Sequence, residues 1–575
     1  MRAETTTDPD DALLWRRVLV FGVWAISWAG LAVGMAGVLA REPGNGGSAL
    51  RVVVLGLFVL AAPWSLLVVW NSVIGLVILL GSRVPASVVN PALAATPLDA
   101  PIEGRVAICV AVRNEDPARV RVRIAAMLGS LVDTGWADAF TVHVLSDSSA
   151  ALEPMEAAAF QGMVSVQYRR RASNEGYKAG NLRAFAETAD AYALMVVFDA
   201  DSLMSGDAIL RMVRVMQAAP AIGILQTLIV GRPAESAFTR MFQFGMRQGM
   251  RSHTVGAAWW QGPSGPFWGH NAIIRIRPFV DHCALPILPG GPPFGGPVLS
   301  HDQVEAVMIR AAGWEVRILA DECGSWEENP PNLADFVRRN LRWIQGNLQY
   351  VHLVGRPWLR PMGRFQLANA VLMYVGPLAW TGMVLAGLLG ALLPGSDGVP
   401  AAAFGAYLLM LALGFLPRVF GVIDALCRAG SRRRYGGGAR LLAGCAADAV
   451  ATLLTVPVTM VSEAIFIAGL LLGHRIGWDA QQRDERSVPV AEAVRMFWPQ
   501  TALGVGGTVV LAVAAPGSLG WAAPVLLAWM LAVPYACLSA SPAVGRWMRA
   551  QRLCAVPDEF EPDPVLRRLD ERASG

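Results

Sequence analysis

Two acidic residues one position apart, Asp199 and Asp201, are the first groups in this chain that could do chemistry. They interrupt the segment Ala193-Leu-Met-Val-Val-Phe-Asp-Ala-Asp-Ser-Leu-Met-Ser-Gly-Asp207, whose first half is a continuous apolar run too short to cross a membrane. Such a run reads as a buried strand of a parallel sheet. Ligands of open α/β sheets bind beyond the carboxyl ends of the strands, and paired carboxylates at that place suit a hard divalent cation and a ligand with phosphates. A solvated turn is the plain alternative, since Asp, Ser and Gly are turn residues and D-x-D is a short motif. A second candidate comes from composition. Of 48 basic residues only one, Lys178, is a lysine. An ammonium is a compact point charge that the planar guanidinium does not replace, so Tyr177-Lys-Ala-Gly-Asn181 stands out.

The elements that must position these groups are marked by hydropathy. A chain of 575 residues exceeds the usual single domain. With 54% hydrophobic and 16% charged residues it belongs with integral membrane proteins. Residues 1–17 are polar, and 18–83 hold two apolar runs, each long enough to span a bilayer. Trp15-Arg-Arg17 could open an export signal, but the run after it is too long, lacks a small-residue cleavage site and is followed by a second span. Residues 84–355 are mixed and read as a soluble domain. Apolar runs return over 356–541, with a polar segment at 474–495, and 542–575 form a polar tail. The net charge of +4 gives no case for nucleic-acid binding. Seven scattered cysteines with no C-x-x-C pair give none for a disulfide framework or a zinc site.

Within the soluble domain, strands are expected at 105–112, 140–145 and 164–170, ending at Arg113-Asn-Glu-Asp116, Ser146-Asp-Ser-Ser149 and a basic cluster. A helix fits 119–132, Lys178 opens another, and the D-x-D strand comes fourth. Strands alternating with helices, with polar residues at the strand ends, predict a doubly wound α/β nucleotide-binding domain. No G-x-G-x-x-G follows the first strand and no G-x-x-x-x-G-K-[ST] occurs, which disfavours dinucleotide oxidoreductases and P-loop motors.

The series Asn114-Glu115, Asp147, Lys178-Ala-Gly-Asn181, Asp199-Ala-Asp201 resembles the inverting, GT-A-fold glycosyltransferases of family 2. Trp268-Gly-His-Asn-Ala-Ile-Ile-Arg275 is similar to the acceptor-side segment of their membrane polysaccharide synthases. Leu299-Ser-His-Asp302, with Glu305 after it, stands where those carry T-E-D, and Arg339 to Trp343 matches their [QR]-x-x-R-W signature. Ser-His-Asp in place of T-E-D and Ser-Asp-Ser in place of D-D-G depart from cellulose and hyaluronan synthases. They fit the glucosyltransferase H group, which builds the backbone of osmoregulated periplasmic glucans. The resemblance implies a GT-A-type domain inserted in a polytopic helical membrane domain.

The resemblance also implies roles. Asp199 and Asp201 would hold Mg²⁺ or Mn²⁺ with the UDP diphosphate. Asn114, Glu115 and Asp147 would meet the uridine, and Lys178, with Gly180 and Asn181 beside it, the phosphates. Gly269, His270, Asn271 and Gln345 would line the substrate site, Asp302 would be the general base, and Trp343 would face a sugar ring with Arg339 and Arg342 near the diphosphate. A capping role for Asp302 is the plain alternative, because an apolar-periodic helix follows it; Trp and Arg on an amphipathic helix is that for Trp343. His301 reads as structural. The implied partners are UDP-glucose, the growing glucan, inner-membrane lipid, acyl carrier protein and periplasmic glucan-processing proteins. Rival readings are another processive synthase or a transporter that senses nucleotide. After the domain, apolar runs fall at 365–393, 401–426, 441–473, 501–515 and 519–540. Arg432-Arg-Arg434 and Arg546, Arg549 and Arg552 place their loops on the cytoplasmic face. A cytoplasmic catalytic domain and two cytoplasmic ends then require an even number of crossings, about eight, with 441–473 either two tight spans or an interfacial pair broken at Pro457. Arg418, Asp424, Asp448 and Glu463 either line a glucan path or pair between helices, and 474–495 resembles a gating loop in position.

Overall fold

The computed structural model describes residues 13–41, 48–91, 96–394, 399–473 and 485–574. Two long apolar helices, α1 (Leu14–Arg41) and α2 (Ser48–Gly81), precede the soluble domain. Its sheet contains β1 (Val106–Val112), β2 (Phe140–Ser146), β3 (Val166–Arg170), β4 (Leu194–Asp199), β5 (Ile222–Thr227), β6 (Ala272–Arg275) and β7 (Glu315–Leu319), in the order β3-β2-β1-β4-β6-β5-β7. Strands β1, β2, β4 and β5 are buried along almost their whole length because helices cover both faces. The most important of those helices are α3 (Pro117–Asp133), α4 (Glu153–Phe160), α5 (Tyr177–Ala186) and α6 (Gly206–Ala218).

Strands β1 to β4 are mutually parallel, as expected, and Ala111 pairs with Asp199 while Val112 pairs with Ser146. The D-x-D motif is therefore level with the loops after β1 and β2. The expected doubly wound pattern breaks at β6, which runs antiparallel to both β4 and β5. Trp268-Gly-His-Asn271 arrives at the carboxyl edge of β4, where the Asn271 N–H donates to Val197 O at 2.7 Å, so the strand after it must run back down the sheet. One edge thus collects both the D-x-D loop and the G-H-N loop.

A long helix, α7 (Ala237–Gln261), carries the domain onto the membrane bundle. A Cβ added at Gly75 of α2 would fall 1.7 Å from Ser252 O, so only glycine permits this backbone-to-backbone crossing. Beyond it lie α8 (Asp302–Ala311) and α9 (Leu333–Leu348), then the apolar helices α10 (Pro361–Leu392), α11 (Val399–Cys427), α12 (Gly438–Leu471) and α13 (Val490–Ala514). Among the described residues six helices, α1, α2 and α10–α13, are long and apolar enough to cross a membrane. A bent pair, Pro516–Met530 and Ala532–Ser539 at 55°, makes a seventh candidate. Where about eight spans are expected the described residues give six or seven candidates, and 441–471, expected as two tight spans or an interfacial pair, lies in one continuous helix, α12. Pro457 removes one backbone donor without ending the helix, and its carbonyl accepts the Trp529 indole N–H at 3.0 Å.

The charged residues of the apolar runs pair with neighbours. Arg418 meets Asp448 at 3.2 Å, Asp424 meets Arg251 and Arg428 at 3.1 Å each, and Glu463 accepts from Asn340 at 3.2 Å. Of the segment 474–495, residues 474–484 lie outside the described residues, while Glu485 accepts from the backbone of Glu235 and Ser236.

The polar tail is not a loose end. Its helices α14 (Pro542–Ala550) and α15 (Pro564–Ser574) return to the soluble domain. Val565, Leu566 and Leu569 join the same core as Val120, Ile124 and Leu131 of α3, a burial worth about 1.5–3 kcal/mol for each. Asp558 and Glu322 both hold the buried Arg247, at 2.5 and 2.7 Å. Burial opposes the Glu322 charge, but the arginine overcomes it and holds the carboxyl down at about 2. At the other end, Arg16 and Arg17 donate to Trp259 and Gln261 carbonyls of α7, so both ends of the described chain lie on the soluble-domain side of the bundle.

Candidate active site

The loops after β1 and β2 are tied to each other. Asn114, at φ 60, gives its N–H to Ser148 Oγ at 2.7 Å and accepts from the Ser149 N–H at 2.9 Å, while the Glu115 carboxylate caps the Arg113 N–H. Beneath them is a carboxylate that sequence reasoning missed. Glu156 of α4 is buried and accepts from Ser146 Oγ at 2.6 Å, Ser148 Oγ at 2.5 Å and Tyr168 OH at 2.9 Å. A buried carboxylate needs such donors, and they explain why this chain carries Ser-Asp-Ser: the two serines anchor the loop and leave Asp147 between them. Asp147 in turn forms a bidentate pair with Arg171.

The lone lysine stands at the centre of the edge. Lys178 Nζ binds the Asp199 carboxylate and donates to Gly269 O at 2.8 Å. A Cβ at Gly269 would lie 3.4 Å from Asp302 Cβ. D-x-D motif, lysine, G-H-N loop and candidate base are therefore one contiguous constellation. Ser202 Oγ accepts the Asp199 N–H at 3.2 Å and meets His270 Nδ1 at 3.1 Å, and His270 Nε2 lies 3.6 Å from Glu327. Other expected binding residues are struts. Asn271 is wholly buried and donates to Ser325 Oγ and Trp326 O. Asn181 is buried and accepts from Arg169 at 2.7 Å, and Gly180 packs against Glu175 O where a Cβ would come within 2.1 Å.

Asp302 is the first residue of α8, and His301 takes the capping position without a side-chain cap bond. The capping reading of Asp302 is thereby set aside. His301 Nδ1 contacts Glu305 at 2.8 Å; burial disfavours its charge, yet the Glu305 carboxylate prevails and raises its pKa above the usual histidine value. The signature helix α9 cradles this segment. A Cβ at Gly346 would lie 2.4 Å from Ser300 Oγ, Gln349 accepts the Leu299 N–H at 2.9 Å, and Tyr350 OH donates to Ser300 O at 2.9 Å. One turn away, Trp343 is 41% exposed while Arg342 and Gln345 are buried. Arg339 stacks over Trp343 at 4.6 Å and Phe336 at 5.4 Å, its Nε is buried without a hydrogen-bond partner, and burial lowers its pKa to about 10. It is a cation that an anionic ligand would stabilise.

Among the described residues no group of three or more His, Cys, Asp or Glu could hold a metal. The two carboxylates of the D-x-D pair suit a hard divalent cation, whose remaining oxygen ligands would have to come from a bound ligand and water. The ammonium of Lys178 already sits against Asp199 as a stand-in cation. Behind the Gly269–Asp302 contact lies a cavity of about 480 Å³ among α2, α7, α10 and α11, lined by Trp64, Trp268, Gln303, Gln366 and Asn369.

Residues 194–417 match the family described as Glycosyl transferase family group 2. The chain is 37% identical over 499 residues to the glucans biosynthesis glucosyltransferase H of Cereibacter sphaeroides, covering 82% of each chain. It is 35% identical over 580 residues to that of Caulobacter vibrioides, covering 95% of this chain and 86% of the relative. Among solved structures it is similar to the mannosyltransferase PcManGT of Pyrobaculum calidifontis in complex with GDP-Man and Mn2+. That likeness has a TM-score of 0.39 and 17% identity, and covers 62% of this chain and 98% of that one.

Proposed function

We propose, from the premise that this chain belongs to the glucans biosynthesis glucosyltransferase H family and is a glucan-synthesising membrane glycosyltransferase, that it polymerises glucose from UDP-glucose processively and with inversion. In this reading the catalytic domain and both ends are cytoplasmic, the membrane is the bacterial inner membrane, and the glucan leaves across it. The observation that carries the proposal is the contact chain Asp199–Lys178–Gly269–Asp302, which joins a phosphate-binding edge to a candidate base.

Asp147, Glu115 and Asn114 face the uridine, and Lys178 with Arg339 and Arg342 takes the diphosphate. Asp199 and Asp201 would hold Mg²⁺ or Mn²⁺, which supplies charge neutralisation for the departing UDP. Asp302 accepts the proton of the acceptor hydroxyl as that oxygen attacks C1 of glucose; the C1–oxygen bond to UDP breaks and UDP carries away the electron pair. One base suffices, because a nucleotide leaving group needs no acid opposite it, unlike the paired carboxyls of glycosidases. The exposed Trp343 face stacks on the acceptor sugar. The aromatic and amide lining of the cavity behind Trp268 suits a carbohydrate chain on its way into the bundle.

The test is purified protein in proteoliposomes with radiolabelled UDP-glucose and Mg²⁺. Polymer is expected with UDP-glucose, abolished by EDTA, and protected inside the vesicles when the catalytic domain faces out. Absence of polymer, or polymer left accessible outside, overturns the corresponding part of the proposal.

A further inference from the structure

We infer that Arg171 is a positioning residue that makes the nucleobase end and the diphosphate end of the donor pocket act as one unit. The inference rests on the donor reading above. Arg171 follows β3, and its guanidinium is committed in two directions. Toward β2, Nε donates to Asp147 Oδ1 at 2.5 Å and Nη2 to Oδ2 at 2.9 Å, the bidentate fork that only arginine provides. Toward α5, Nη1 donates to Glu175 O at 2.9 Å and Nη2 to Tyr177 O at 2.6 Å.

The second pair of bonds matters because of the backbone they hold. Gly176 at φ 67 and Tyr177 at φ 52 are consecutive left-handed residues, a conformation a tyrosine adopts only under constraint. Lys178 follows immediately, so the direction of its side chain toward Asp199 depends on this turn. The neighbours reinforce the arrangement: Arg169 donates to Asn181 O and Oδ1 of α5, and Arg170 to Ser148 O at 3.0 Å. Three consecutive arginines at one strand end thus span the gap between the Asp147 loop and the Lys178 helix. Arg171 is the one that touches both. Its side chain is 17% exposed and that of Asp147 is 5%, so the pair is shielded from the solvent screening that makes surface ion pairs weak. Both Asp147 oxygens keep a second lone pair for a nucleobase N–H or ribose hydroxyl.

The consequence is specific. Loss of Arg171 releases Asp147 and relaxes the turn before Lys178 together, so donor binding falls at both ends while the Asp302 side is untouched. Arg171→Ala and Arg171→Lys are expected each to raise KM for UDP-glucose about tenfold or more and to leave kcat within about twofold. Lysine fails to rescue because it has no fork. In addition, wild type should prefer UDP over ADP as competitive inhibitor, and both variants should lose most of that preference, which a merely structural lesion would not alter. Thermal melts by intrinsic fluorescence check folding, and Arg171→Lys keeps the test open if Arg171→Ala does not fold. Unchanged KM, a fall in kcat alone, full rescue by lysine, or retained preference for UDP over ADP overturns the inference. Wild-type protein inactive with UDP-glucose would instead refute the donor reading, so the two failures are distinguishable.

Discussion

The two sides of the catalytic edge are built by different physics. On the side proposed to bind the donor, the loops after β1, β2 and β3 are held by charge and hydroxyl groups: Glu156 with three O–H donors, Asp147 with Arg171, Lys178 with Asp199. On the acceptor side, Ser300-His-Asp302 is held by close backbone packing, with Gly346 against Ser300 and with Gln349 and Tyr350 bonded to the main chain. Electrostatic scaffolds tune how tightly an anionic donor binds, whereas steric scaffolds fix where a reacting oxygen can sit. Lesions on the first side should read out in KM and on the second in kcat.

The largest effect expected is that of Asp302→Asn, an isosteric change that removes the proposed proton acceptor. It should lower kcat about a thousandfold while UDP binding by calorimetry stays unchanged; a comparable loss of UDP affinity would break the division. Next comes Gly346→Leu, which pushes α9 off Ser300 and shifts the base. A shift of that kind should lower kcat about a hundredfold with KM for UDP-glucose unchanged, measured by initial rates over a donor titration. Lys178→Arg belongs to the other side: a wider, flatter cation at Asp199 should raise donor KM about tenfold, and an unchanged KM would remove the lysine from the donor pocket. The smallest effect lies outside the edge. Glu322→Gln, beside Arg247, should lower the melting temperature at neutral pH by a few degrees. The folded-state pKa of Glu322 is depressed from 4.5 to about 2, so its contribution is present above pH 4.5 and is lost as pH falls toward 2. Melts of wild type and variant should converge over that window, with catalytic constants at pH 7 alike.

Much of the donor side was legible because its signals are local. A strand that stops in D-x-D, a lysine without a second copy, and polar residues after each strand name the edge without any structure. The acceptor side was legible in residue types but not in function: α9 reads as an amphipathic signature helix, and nothing in it announces that Gly346 exists to meet Ser300, 46 positions earlier. Long-range close approaches leave no local trace. Glu156 was invisible for the same reason, since its three partners come from β2, its loop and β3. The antiparallel β6 was missed because a strand of only four residues, Ala-Ile-Ile-Arg, carries no direction, and the continuity of α12 because a proline in an apolar run signals a break more often than a tolerated kink. The segment from 542 reads only as a polar tail, although Val565, Leu566 and Leu569 are spaced to form one apolar stripe.

That stripe has a consequence for how the protein is made. The core beneath α3 is completed by residues that a ribosome adds only after every described span has been synthesised. Until α15 emerges, the catalytic domain has an open apolar seam against α3, and Arg247 waits for Asp558. The sheet can form early, but its closure by α15 comes only after the described spans have been made. Assembly order is thereby written into the fold: the domain that handles the sugar donor reaches its finished form after the helices that would receive the product.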